Sequence, residues 1–265
     1  MAKNRRSPFL IPLIIVSVIT AFLGAVLVYQ ELGGGVDVPE TEALETKKNE
    51  ISVPEILFGS DLAEYEEYMS VTDRKYLVLV NKENTIDDSF KPETLVGVKD
   101  TGKDIELSLT AEKALEAMFI EMRAEGFTGV YVTSAYRSYT YQNSLFNTYI
   151  NDEMKKGLSY AEAKERVLTY SALPGTSEHH TGLCVDLFHN GMTELDESFA
   201  DYPVYEWLLE NAWKFGFVLR YPEDKTDVTG YTYEPWHYRF VGRYHAYVMK
   251  ENELTLEEYL PSLDG

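Results

Sequence analysis

Gly175-Thr-Ser-Glu-His-His-Thr-Gly-Leu-Cys-Val-Asp-Leu187 holds two of the chain's five histidines side by side, an aspartate seven positions after the first of them, and the sole cysteine. The second half of this stretch decides the fold. Leu183 to Phe188 is a short apolar run broken by one carboxylate and preceded by glycine, which predicts a strand. Alternation puts Cys184, Asp186 and Phe188 on one face and Leu183, Val185 and Leu187 on the other. A carboxylate on such a strand is costly to bury and demands a cation. An arginine in a structural ion pair meets that demand. So does a divalent metal shared with a histidine from the preceding turn, and Gly182 would let the backbone reverse so that His179 reaches it. His179 and His180 are not two equivalent ligands, because neighbouring side chains diverge in a strand and lie about 100° apart on a helix. Cys184, in an apolar strand, is expected to be a buried, inert thiol.

Around this strand the pattern is mixed. Tyr76 to Val80 reads as a short strand. Between Thr110 and Gly126, Ala114, Leu115, Met118, Phe119 and Met122 recur at helical spacing, with Thr110 as N-cap and Gly126 as the stop. Gly129 to Thr133 predicts a strand, Ser134 to Arg137 a loop, and Tyr141 to Lys156 and Tyr160 to Thr169 helices. Tyr202 to Phe215 reads as a helix, Phe217 to Tyr221 and His237 to Val241 as strands, and Tyr244 to Met249 as a closing helix. There is no regular βαβ alternation, so the expected class is α+β: a small, mainly antiparallel sheet flanked by helices.

A second segment bears on the metal. Tyr233-Glu-Pro-Trp-His-Tyr-Arg239 sets Glu234 three residues before His237. A regular strand would send these two to opposite faces, so a turn at Pro235 is needed to bring them together. Two histidines and an aspartate leave tetrahedral Zn²⁺ an open fourth position, the arrangement of a catalytic site. A nearby carboxylate that is not a ligand suits a general base, and Glu234 fills that place. Other chemistries lack their signatures: there is no His-Glu-x-x-His, no Gly-x-Ser-x-Gly, no Ser-x-x-Lys and no phosphate-binding Gly-x-x-x-x-Gly-Lys-Ser/Thr. His180 is expected at solvent or the cleft edge, His189 in a turn beyond the strand, and His245 as a surface or packing residue. Trp207 and Trp213 fit a core-facing helix side, whereas Trp236 stands between base and ligand and is a candidate lining of the substrate cleft.

The same residues resemble a known family. Ser177-Glu-His-His-Thr-Gly-Leu-Cys-Val-Asp186 is similar to the Ser-x-His-x-x-Gly-x-Ala-x-Asp motif of the VanY/VanX-type zinc D-alanyl-D-alanine peptidases. Glu234-Pro-Trp-His237 resembles their Glu-x-x-His, and Ser134-Ala-Tyr-Arg-Ser138 with Gln142 their Tyr-Arg-Ser segment. Looser likeness to VanY extends over about residues 75 to 260. The resemblance implies the fold shared by these peptidases and hedgehog-type domains, and one zinc ion held by His179, Asp186 and His237. It implies Glu234 as catalytic base, Arg137 as the cation that polarises the scissile carbonyl, and Ser177 and Gln142 as substrate contacts. The implied reaction is removal of the terminal D-alanine from peptidoglycan stem peptides. An L,D-carboxypeptidase acting on tetrapeptide stems and a non-catalytic, zinc-containing wall-binding module are the alternatives. Cys184 departs from the family pattern, which has a small residue there.

Composition limits the partners. The net charge of -20, from 44 acidic and 24 basic residues, argues against nucleic acid as a partner, since phosphate binding needs concentrated Lys and Arg. One cysteine forms no internal disulfide. Lys3, Arg5 and Arg6 precede an uncharged run from Phe9 to Tyr29, long enough to cross a bilayer as a helix. The expected organisation is a cytoplasmic basic tail at 1–8, a transmembrane signal anchor at 9–29, a flexible acidic stalk at 30–54, and a peptidase domain at 55–265 outside the bacterial cell membrane.

Overall fold

In a computed structural model of the chain, residues 52–264 are described. The expected transmembrane run at 9–29, the basic tail and most of the stalk lie outside them. Among the described residues no helix is long and apolar enough to cross a membrane.

A four-stranded sheet, ordered β3-β4-β6-β5 and antiparallel throughout, carries the domain. Its strands are β3 (Val130–Ser134), β4 (Cys184–His189), β5 (Phe217–Leu219) and β6 (His237–Phe240). A separate hairpin pairs β1 (Leu95–Gly97) with β2 (Glu106–Ser108). The α-helices of seven residues or more are α1 (Leu109–Ala124), α2 (Tyr139–Lys155), α3 (Tyr160–Val167), α4 (Pro203–Asn211), α5 (Arg243–Glu251) and α6 (Leu256–Ser262). The α+β class expected from the sequence is the class observed.

The sheet has two unlike faces. In register, Val132 opposes Leu187, Val185 opposes Tyr238, and Phe217 opposes Phe240. These side chains join Ala114, Leu115, Met118 and Met122 of α1 in the main apolar core. The other face carries Cys184 opposite Arg239 and Asp186 opposite His237. One face stabilises the fold through apolar burial; the other gathers chemistry.

Three expectations need correction. Tyr76 to Val80 is no strand: Arg74–Leu77 is a 3₁₀ turn, and the segment then runs on unpaired. Tyr76, Leu77 and Val80 are nonetheless buried. The segment's carbonyls are taken by a side chain, because Arg239 Nη2 donates to Tyr76 O at 3.0 Å and Val78 O at 2.8 Å. The N-cap of α1 is Ser108 rather than Thr110, whose hydroxyl instead donates to Glu93. The helix expected over 202–215 divides, with α4 ending at Asn211 and a 3₁₀ turn covering Ala212–Phe215. Packing against the domain reaches back to Val53 and Ile56.

Candidate metal and catalytic site

The local chain explains how two distant segments meet. Glu178–Thr181 forms a 3₁₀ turn that ends on Gly182 in the left-handed region, φ 66°. That reversal feeds β4 and folds His179 back over Asp186, as the glycine predicts. A second turn does the same for β6. The His237 N–H donates to Glu234 O at 3.1 Å, and this turn through Pro235 leaves Glu234 Oε2 3.6 Å from His237 Nδ1. A bulge in β3 between Val132 and Ser134 re-aims the following loop so that Arg137 enters from a third direction.

Asp186 is the meeting point. Its Oδ1 lies 3.0 Å from His237 Nδ1, and its Oδ2 lies 3.2 Å from His179 Nε2 and 2.9 Å from Arg137 Nη2. His179, Asp186 and His237 are all buried. The far nitrogen of His179, Nδ1, bonds to the Ala135 carbonyl, which turns Nε2 toward Asp186. The donor set therefore fits a metal ion: two imidazole nitrogens and a carboxylate converge, with His179 held from behind by the Ala135 carbonyl and Asp186 by Arg137. Cys184 enters the same volume. Ligand atoms of His179, Cys184 and His237 all lie within 4.8 Å of one another. The thiol is buried as expected, but it stands within ligand range rather than apart from the site.

Electrostatics follow from burial and crowding. Desolvation pushes the Glu234 carboxyl up and Asp186 adds to it; the cations nearby only partly oppose this, and the result is about 7. Burial would raise Asp186 too, but the two histidines overcome it and hold that carboxyl well below its usual range. Burial and Arg137 disfavour a charged His179, yet Asp186 prevails and raises the ring to about 9. Burial acts to raise the Cys184 thiol, and the two histidines draw it down to about 7. An acid-base pair of carboxyls pushed in opposite directions is the pattern of a working site.

The other candidates are placed less uniformly. Arg137 is braced rather than free: Nε donates to Ser134 Oγ at 2.9 Å and Nη1 to Gln142 Oε1 at 3.1 Å. Gln142 is fully buried and its amide also donates to Ala172 O at 2.8 Å. It supports Arg137 from behind. Ser177 is buried at the start of the 3₁₀ turn without capping it. Trp236 borders a cavity of about 400 Å³ together with Leu195, Glu197, Thr232 and Tyr233. His180 does not face solvent: its Nε2 accepts the Gly175 N–H at 3.0 Å and its Nδ1 bonds Arg137 O at 2.7 Å. It is a structural histidine that shapes the loop carrying Arg137. His245 packs between Tyr259 and Thr72.

One charged residue of the site escaped the sequence reading. Glu178, adjacent to His179, is buried and paired with Arg220 and Arg239. A Glu beside a ligand within a family motif was the only available signal.

Two imidazoles and two carboxyls gathered on an antiparallel sheet suit the class of α+β metallohydrolase domains. Within that class the assignment is specific: the VanY family model, described as D-alanyl-D-alanine carboxypeptidase, matches residues 104–243, and the chain belongs to this family. The putative carboxypeptidase YodJ of Bacillus subtilis (strain 168) is 40% identical over 192 residues, covering 69% of this chain and 66% of that protein. The chain thus spans just under two thirds of that relative's length. Among solved structures, a mutant of the D,D-pentapeptidase VanY from a VanB-type resistance cassette, in complex with Zn(II), superposes with a TM-score of 0.59 at 36% identity, covering 70% of this chain and 99% of that one. The LdcB LD-carboxypeptidase gives a TM-score of 0.61 at 34% identity, over 72% of this chain and 89% of that one.

Proposed function

We propose that the chain is a zinc-dependent D,D-carboxypeptidase that hydrolyses the terminal D-Ala-D-Ala bond of peptidoglycan stem peptides. One observation carries the reading: a carboxyl raised to about 7, Glu234, stands beside a buried His179–Asp186–His237 cluster that Arg137 also enters. His179, Asp186 and His237 would hold one zinc ion, which supplies Lewis acidity for attack by water. Glu234 takes the proton of the attacking water and returns it to the leaving amine. Arg137, fixed by Ser134 and Gln142, places its guanidinium where the carbonyl oxygen gains charge. Trp236, two residues after Glu234, is the candidate apolar wall of the cleft.

The uncharged run at 9–29 behind three basic residues supports a membrane anchor, with the acidic segment to residue 54 as a tether and the domain facing the wall. The likeness to LdcB favours a second reading, an L,D-carboxypeptidase that takes D-alanine from tetrapeptide stems. Incubation of the purified protein with pentapeptide and tetrapeptide stems, following free D-alanine, separates the two. Release from the pentapeptide is expected. Release from the tetrapeptide alone would install the second reading, and release from neither would end both.

A further inference from the structure

Behind His237 lies a chain of buried charge. Glu178 Oε1 accepts from Arg220 Nε at 2.8 Å and lies 3.0 Å from Arg239 Nη1. Arg220 in turn donates to both carboxylate oxygens of Glu257, at 2.9 and 2.7 Å, and so reaches α6. The side chains of Glu178, Arg220 and Arg239 have no exposure at all. Two guanidiniums are thus matched by two carboxylates.

One oxygen of this network is left over. Glu178 Oε2 has no hydrogen-bond partner, and neither has His237 Nε2; both atoms are buried. They face one another at 3.7 Å. That exceeds a hydrogen bond by about half an ångström. Two orphaned, complementary atoms at this separation cost more apart than joined. The opposite ring nitrogen, Nδ1, is the one turned to Asp186.

We propose that Glu178 is a positioning residue: its Oε2 accepts the His237 Nε2–H and so fixes the ring in the tautomer that presents Nδ1 to the metal. The inference rests on the metallopeptidase reading. A carboxylate behind a ligating imidazole both orients the ring and makes the opposite nitrogen a better donor. The carboxylate is itself locked, since Arg220 donates to Oε1, Arg239 lies against the same oxygen as an ion pair, and Glu257 holds Arg220. A purely structural Glu178, present only to neutralise two arginines, would leave the metal indifferent to it. In Glu178→Gln, the amide oxygen would stay with the guanidiniums and turn an N–H toward His237 Nε2, favouring the wrong tautomer.

The test is zinc affinity, measured by competition with a chelator, for the wild type and Glu178→Gln. Glu178→Gln should bind zinc about 10- to 100-fold more weakly. Equal affinity in a folded variant overturns the proposal while leaving the zinc reading intact; a wild type that binds no zinc sinks both. Should Glu178→Gln fail to fold, ring NMR of the zinc-loaded wild type decides. An Nε2–H resonance of His237 shifted downfield, as for a carboxylate-bonded imidazole, supports the proposal. The position of an unbonded ring N–H overturns it.

Discussion

Arg137 Nη2 lies 2.9 Å from Asp186 Oδ2, joining the loop after β3 to the middle of β4. The pairing puts a permanent cation against a buried carboxylate and aims both at the same point as His179 and His237. If that cation serves the developing oxyanion, Arg137→Ala should lower kcat by about 10²- to 10³-fold, or about 2.7–4 kcal/mol. Bound zinc should remain near one per chain by elemental analysis. Loss of zinc along with activity would instead make Arg137 a support for Asp186.

Glu234→Gln should keep zinc and lose about 10²- to 10⁴-fold in kcat. The raised carboxyl sets the pH profile. Glu234 works as a base only when ionised, so kcat/KM should fall on the acid side of about pH 7. A bound dication draws a neighbouring carboxyl down, which puts the limb at or below that value. The limb should be missing from the residual activity of Glu234→Gln.

Metal binding should be linked to protons. His179, raised to about 9 without metal, holds a proton that zinc must displace. Apparent zinc affinity should therefore climb as pH rises toward about 9, with proton release visible by calorimetry in buffers of different ionisation enthalpy. A flat affinity between pH 6.5 and 9 would remove His179 from the ligand set.

Cys184 and Asp186 both stand within reach of the histidines, and they offer different donors. With Asp186 as the ligand, the cobalt-substituted protein should show no sulfur-to-metal charge-transfer band in the near ultraviolet, and Cys184→Ala should keep its metal. A strong band that Cys184→Ala abolishes would put the thiolate in the coordination shell.

Gly182 sits at φ 66°, and an added Cβ would approach Leu95 Cδ2 to 3.1 Å. Gly182→Ala should cost about 1–2 kcal/mol for the left-handed backbone alone. Thermal unfolding should show a Tm lowered by several degrees.

How much of this was legible in the sequence depends on how local each cause is. β4 could be read because its alternation is its own, and the Glu234–His237 turn because Pro235 announces it. Tyr76 to Val80 was misread because the group that pairs its carbonyls, Arg239, lies about 160 residues further on. The β1–β2 hairpin has only three residues per strand, too few for a period to emerge. α6 went unread because Pro261 sits inside it, a residue that ordinarily stops a helix. At the site, the proposed ligands and base stand in spaced motifs, whereas the brace formed by Gln142 and the burial of His180 depend on a loop packed from elsewhere. Glu178 shows the limit most clearly, since its partners Arg220 and Arg239 are ordinary arginines until the sheet brings them together.

The bidentate contact between Arg220 and Glu257 bears on where a working fragment of this chain can be cut. The family match ends at residue 243, yet Glu257 belongs to α6, and Leu256 and Tyr259 share a cluster with Leu77, Trp213 and Val241. A piece ended at the last matched residue would leave a guanidinium with no exposure short of one of its two carboxylates and would open that cluster to water. The smallest unit that keeps its metal pocket in shape therefore runs through α6, about twenty residues past the end that homology alone would draw.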